Sequence, residues 1–180
     1  MNDMDTIITG SSFEGERPLY GKQNLRLEKV AFLTGESALK HCSDLTIKGC
    51  EFIGKYPLWH GSGIMVESSV FKDTARAAIW YTRNLKMQHT DVDAPKMFRE
   101  CDGIQLQKVK LTNAAECFWN CRNIEIADCE IRNADYLLMG GDTIVVNNLK
   151  LQGNYAFQDA RHVVIRNSYL DSKDAFWNTE

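Results

Sequence analysis

Eight times along this chain an alternating apolar segment returns at a nearly constant interval. The segments are NLRLEKVAF (24–32), DLTIKGCEF (44–52), GIMVESSVF (63–71), NLKMQHTDV (84–92), GIQLQKVKL (103–111), NIEIADCEI (123–131), TIVVNNLKL (143–151) and HVVIRNSYL (162–170). After its first residue each reads apolar-x-apolar-x-x-(apolar or small)-x-apolar. The first apolar residue falls at 25, 45, 64, 85, 104, 124, 144 and 163, so the steps are 20, 19, 21, 19, 20, 20 and 19. Alternation over four to five residues marks a half-buried strand, because successive side chains point to opposite faces. Such short strands cannot bury one face alone. Stacked as coils at a period near 20, they bury a continuous interior.

A second short segment lies inside every period: ALKHC, PLWHG, AIWYT, MFREC, CFWNC, LLMGG, AFQDA and AFWNT. Its central apolar residues are Leu39, Leu58, Ile79, Phe98, Phe118, Leu138, Phe157 and Phe176. For the first seven, the step from this position to the next repeat's first apolar residue is always six. The variation in length therefore sits between the Phe32-type and Leu39-type positions, where a loose turn is expected. The predicted fold is all-β: a single-stranded, right-handed parallel β-helix (solenoid) of about eight coils of 19–21 residues. A left-handed hexapeptide solenoid would keep a strict six-residue unit. A leucine-rich repeat would need a fixed inner Asn or Cys and a helix-forming half, for which the ALKHC-type segment is too short.

The whole chain, 1–180, reads as one β-helix domain, with 1–23 an N-terminal capping coil and 24–180 the regular coils. Ile8 and Phe13 precede Leu27 and Phe32 by 19 residues, as a degraded first coil would. The cap should cover an edge that otherwise invites strand pairing. At the other end the sequence stops at AFWNTE with no visible cap. That predicts either a truncated chain or an end-to-end contact between copies.

The net charge of -3, with no block of like charges, argues against nucleic acid or an anionic membrane as partner, since both require a concentrated basic surface. The opening MNDMDTIITG lacks the basic and apolar segments of a signal peptide. No stretch approaches the roughly 20 apolar residues that span a bilayer. A cytoplasmic location with reduced cysteines is the expectation, and no cofactor is implied.

The stretches GERPLYG (15–21), KYPLWHG (55–61), ARAAIWYT (75–82), DAPKMFR (93–99) and NSYLDSKDAFWN (167–178) resemble a bacterial family known as domain of unknown function 3737. The likeness runs along nearly the whole chain. It implies a right-handed parallel β-helix of the pectin-lyase-like type with no established activity, and so no family catalytic residues to carry over. The chain looks shorter than typical members, as if its last coils were missing.

The cysteines fall into columns. Cys42, Cys101 and Cys121 share the position held elsewhere by Gly61, Thr82, Gly141, Ala160 and Thr179; Cys50 and Cys129 share that of Val30, Ser69, Val109 and Leu149. Positions that accept such small residues read as packed corners, where free cysteine fills space as a small hydrophobe. Zinc would need four converging ligands, and a Cys101–Cys121 disulfide between stacked coils is geometrically conceivable. His41 and His60 are equivalent on adjacent coils and form the one pair suited to a metal. Their column continues Tyr81, Glu100, Asn120, Gly140, Asp159 and Asn178, which reads as a polar turn, so no metal site is expected.

All four tryptophans lie in one stripe: Lys40, Trp59, Trp80, Arg99, Trp119, Met139, Gln158, Trp177. Each follows an inward residue, so alternation points it outward. Trp59, Trp80, Arg99, Trp119 and Trp177 are the candidate ligand-binding residues. An exposed aromatic row marks a binding surface, here a platform for sugar rings. The alternative is that the rings pack beneath the long turn, on the N-terminal segment around RPLY (17–20), or against a partner subunit. Catalytic residues are not identifiable. Glycoside hydrolysis needs two acids about 5–9.5 Å apart, and Asp91, Asp93 and Glu100 form no convincing pair. Phosphate loops and nucleophile elbows are absent. The favoured function is a non-catalytic binding or scaffold module contacting carbohydrate or protein. The rivals are a carbohydrate-active enzyme with unrecognised acids and a homo-oligomer assembled through the open end or the stripe.

Overall fold

The computed structural model describes residues 6–180, and its strand register follows the repeat. Leu25 pairs with Leu45, which continues through Ile64, Leu85, Ile104, Ile124 and Ile144 to Val163. Every pairing is parallel, and no helix interrupts the described residues. The result is an all-β parallel solenoid of about eight turns, with strands such as Gln23–Glu28, Ser43–Lys48 and Ser62–Glu67 stacked along its length. The opening segment adds a further rung: Thr6–Thr9 pairs with Gln23–Glu28, placing Ile8 on Leu27, and Phe13 lies beside Phe32. The reading of the first ten residues as lacking a leader falls partly on residues 1–5, outside those described.

The interior is built from the alternating positions. Leu27, Ile47, Val66, Met87 and Leu106 are buried, whereas Arg26, Thr46 and Lys86 between them face out or lie at the surface. A second inward column stacks phenylalanines coil on coil. Phe32 and Phe52 lie 5.0 Å apart and Phe52 and Phe71 4.5 Å, with rings within 11° of parallel. The 4.7–4.9 Å rise of a parallel ladder sets this spacing, so one residue type repeated in one column stacks automatically.

The corners are sharper and more numerous than a two-segment coil with one loose turn. Residues in the left-handed region recur every five positions, as at Asn123, Asp128 and Asn133, giving each coil short straight sides. The second apolar segment is less regular than a strand. It forms strand pairs only at Ile79–Trp80 and Phe98–Arg99. In other coils it is a turn that still bonds between coils, with Leu58 N–H donating forward to Ala78 O at 2.9 Å. From Phe118 onward the central residue also takes positive φ, and Leu138 N–H donates backward to Cys117 O at 3.0 Å. Alternating left- and right-handed residues cannot hold a pleat, which is why regular pairing is lost there.

Candidate functional site

The stripe forms a continuous stack. The Trp59 and Trp80 rings lie 5.0 Å apart and 6° from parallel. The Arg99 guanidinium is inserted between Trp80 and Trp119, 4.5 and 4.6 Å from the two ring centroids. Lys40 Nζ sits 5.7 Å from the Trp59 ring at the near end. The indole faces therefore point along the solenoid axis; those of Trp59 and Trp80 are covered by each other and by cations, and Trp119 is covered by Arg99 on one face. The indole N–H groups are also occupied. Trp59 donates to Ala77 O at 2.6 Å, Trp80 to Lys96 O at 2.8 Å and Trp119 to Tyr136 O at 2.8 Å, each a turn carbonyl of the next coil. A flat sugar platform needs an open ring face, and neither Trp59 nor Trp80 offers one. Trp177, 65% exposed, stands apart from this stack. Arg99 also reaches Glu116 at 3.4 Å, which in turn holds Lys96 at 3.1 Å.

A second stack runs beside the first. His41 and His60 lie 4.8 Å apart and 7° from parallel, His60 and Tyr81 likewise at 4.8 Å, and Tyr20 meets His41 edge-on. The column that reads as a polar turn is aromatic at this end. Imidazole lone pairs lie in the ring plane, so two stacked imidazoles do not converge on one ion. Among the described residues no group of three or more His, Cys, Asp or Glu could hold a metal. Burial, then the neighbouring His41 and Lys40, lowers the His60 pKa.

The six cysteines are free thiols, all buried. Cys101 and Cys121 are not bonded to each other; the Cys101 N–H instead donates to Cys121 Sγ at 3.4 Å. Burial pushes the Cys117 thiol up to about 12, leaving it protonated and unreactive.

A groove of about 630 Å³ crosses the outer face of the long sheet over six coils, from Asn24 to Glu125. No sequence expectation pointed to it. One wall is the column just before each first apolar residue: Asn24, Asp44, Gly63, Asn84, Gly103, Asn123. All six take the left-handed conformation, with φ of 53°, 55°, 65°, 52°, 77° and 55°, which Asn, Asp and Gly tolerate best. Since Asn and Asp adopt it here, the backbone does not demand glycine at 63 and 103. A Cβ at Gly63 would lie 2.8 Å from Asp44 Oδ1, and one at Gly103 2.9 Å from Asn84 Oδ1, so a side chain at either position would have to displace the end of the flexible side chain on the preceding coil. Asp44 and Asn84 each lean along the axis over the following coil. Neither side chain has a hydrogen-bond partner among the described residues, whereas Asn123 Nδ2 donates to Asp102 at 2.7 Å. The signal lay in the sequence as an N, D, G, N, G, N column that resembles ordinary turn chemistry.

The groove carries two carboxylates, Asp44 and Glu125. They are four coils apart, roughly 19 Å along the axis at about 4.8 Å per coil, against the 5–9.5 Å or so of a hydrolytic pair. Beside the groove a charge ladder alternates in sign as Arg83, Asp102, Arg122, Asp142, Arg161. The Asn123 amide, with Arg122, lowers the Asp102 pKa, and His162, with Thr143, lowers that of Asp142. These carboxylates are held ionised and are unsuited to proton donation near neutrality.

The fold and these features define an all-β parallel β-solenoid. The chain belongs to the family described as "Protein of unknown function (DUF3737)", whose model matches residues 6–180. No curated protein matches it in sequence. Among solved structures it is similar to QnrB1, a plasmid-mediated fluoroquinolone resistance protein, at 11% identity and a TM-score of 0.33, covering 93% of this chain and 92% of that one. It is also similar to HetL of the cyanobacterium Nostoc, a pentapeptide repeat protein involved in regulating heterocyst differentiation. That match has 11% identity and a TM-score of 0.30, covering 94% of this chain and 90% of the other.

Proposed function

We propose that this protein is a rigid, non-catalytic binding module whose contact surface is the groove on the long sheet. The observation that carries the reading is the groove itself: polar side chains set at fixed heights by an unbroken strand ladder, two of them without hydrogen-bond partners, and no carboxylate pair at hydrolytic separation. The tryptophan stripe serves as a spine. Stacked rings and cations tie Lys40 through Trp119 together across five coils and keep the sheet from flexing. Carbohydrate is the ligand class this reading favours, in keeping with the pectin-lyase-like type that the family resemblance implies, but it is bound in the groove and not on indole faces.

The test is a chemical-shift perturbation screen of the labelled protein against oligosaccharides, peptides and nucleotides. The expected result is perturbation confined to residues around 44–46, 63–65, 84–86 and 103–105, with the ligand recovered intact. Formation of product would replace the reading with an enzyme. Perturbation centred on Trp59 and Trp80 would move the contact surface to the stripe, where ring edges suit another protein chain.

A further inference from the structure

From Asp44 to Asn123 the groove wall has twice the period of the fold, while Asn24, one coil before Asp44, stands outside the alternation. Asp44, Asn84 and Asn123 recur on every second coil, about 10 Å apart at the strand spacing, and Gly63 and Gly103 occupy the coils between them. Every coil has the same backbone at this position, so the alternation comes from side chains alone. It produces a row of polar contacts separated by saddles. From this we infer that the ligand is a neutral, extended, β-linked glycan read once per disaccharide. The inference rests on the binding-module reading above and assigns its ligand.

Three features select that chemistry. In an extended β-linked chain each sugar is turned over relative to the last, so the same hydroxyl edge returns on every second ring, matching a contact on every second coil. Asn and Asp side chains offer paired donors and acceptors for adjacent hydroxyls. Met65 and the aliphatic part of Lys86 add apolar surface to the groove. The charge of the lining is two carboxylates against one lysine, which disfavours a polyanion such as a nucleic acid or polyuronate. Peptides recognise sheets chiefly by adding a strand to an edge. Along the groove every strand from Ser43–Lys48 to Asp102–Gln107 is already paired on both sides, so no edge is offered.

Two substitutions test the period without disturbing the backbone, because each places in the column a residue already native to it. Gly103→Asn keeps the left-handed corner and fills a saddle; the neighbour it approaches is the flexible Asn84 amide. Asn84→Gly keeps the corner and removes a contact. Isothermal titration with neutral β-linked oligosaccharides of increasing length should show affinity rising with each added disaccharide up to the hexasaccharide and then levelling, since Asp44, Asn84 and Asn123 take one disaccharide each. Asn84→Gly should weaken binding by about 10-fold, the scale of one hydrogen bond, and Gly103→Asn by more, both with unchanged melting temperature. Smooth growth of affinity with each single sugar, or indifference to both variants, overturns the assignment. If neutral glycans fail while a peptide or nucleotide perturbs the groove and Gly103→Asn blocks it, the binding module stands and the glycan falls. If nothing perturbs the groove, both fall.

Discussion

At the scale of the residue, Thr82 shows how a corner is specified. Its hydroxyl accepts from Gly61 N–H at 3.2 Å and donates to Leu58 O at 2.7 Å, inside the core. The equivalent Cys121 thiol accepts from Cys101 N–H in the same way. Thr82 and Cys121 therefore do more than fill space: each satisfies a buried backbone donor of the preceding coil. Thr82→Val keeps the shape and strands the Gly61 N–H. A buried donor left unpaired costs about 1–3 kcal/mol, so urea denaturation should report a loss of that order with unchanged m-value. Thr82→Cys, which retains an acceptor, should lose less. A Val variant as stable as the parent would show that the hydroxyl is only packing. The same close reading explains why the tryptophan stripe was half legible. Alternation gives the outward direction of Trp59 and Trp80, but it is silent on whether a ring presents its face or its edge. That depends on the next coil, where a turn carbonyl takes the indole N–H and turns the face along the axis.

At the scale of the element, the ladders of like position set how stability answers pH. Asp102, Asp142 and, through Asn148 and Gln107, Asp128 have pKa values below the ordinary carboxylate value. Their unfolded counterparts bind protons more readily. The stability they contribute is therefore complete above about pH 3.9 and is lost as pH falls through the lowered native values. His60 acts at higher pH in the same direction. Its native pKa lies below the ordinary histidine value of about 6.5, because burial, His41 and Lys40 oppose its charge. Between about pH 6.5 and that lowered value the unfolded chain takes up the proton first, so stability falls as pH falls through this window and changes no further below it. Melting temperature followed from neutral to acid should decline mainly through the carboxylate range, preceded by a smaller fall from His60, whose side chain is largely exposed. His60→Asn, which suits the left-handed corner at φ 56°, should remove the upper step and leave the lower one. A single acid transition in the parent protein would refute the upper assignment.

At the scale of the whole molecule, what the sequence made plain and what it hid divide along the core. Inward columns such as Leu27, Ile47 and Val66 obey a hard constraint, since each must be apolar and must recur at the coil length. The period, the strand register and the all-β solenoid were legible for that reason. Outward and corner columns obey a softer one. Asn, Asp and Gly all satisfy a left-handed corner, so the alternation at Asp44, Gly63, Asn84 and Gly103 passes for turn chemistry until the coils are stacked. The solenoid itself predicts a graded response to partial unfolding, because each coil touches only its neighbours. Arg122–Ile131 is paired along its length on both sides, by Asp102–Gln107 and Lys110–Leu111 below and by Asp142–Gln152 above. Among the described residues Arg161–Arg166 and Tyr169–Asp171 pair as strands only with Asp142–Gln152, and their inward Val163, Ile165 and Leu170 are partly buried. Opening that coil exposes one interface, whereas opening a central coil breaks two. Native-state hydrogen exchange should therefore show amides of 161–171 opening at a free energy well below the global value, with protection rising inward to a plateau around 122–131. If copies of the chain join end to end through this coil, its protection should rise with protein concentration while the plateau stays fixed. Uniform protection at every concentration would mean that the coils unfold as one cooperative unit and that nearest-neighbour contacts alone do not describe this solenoid.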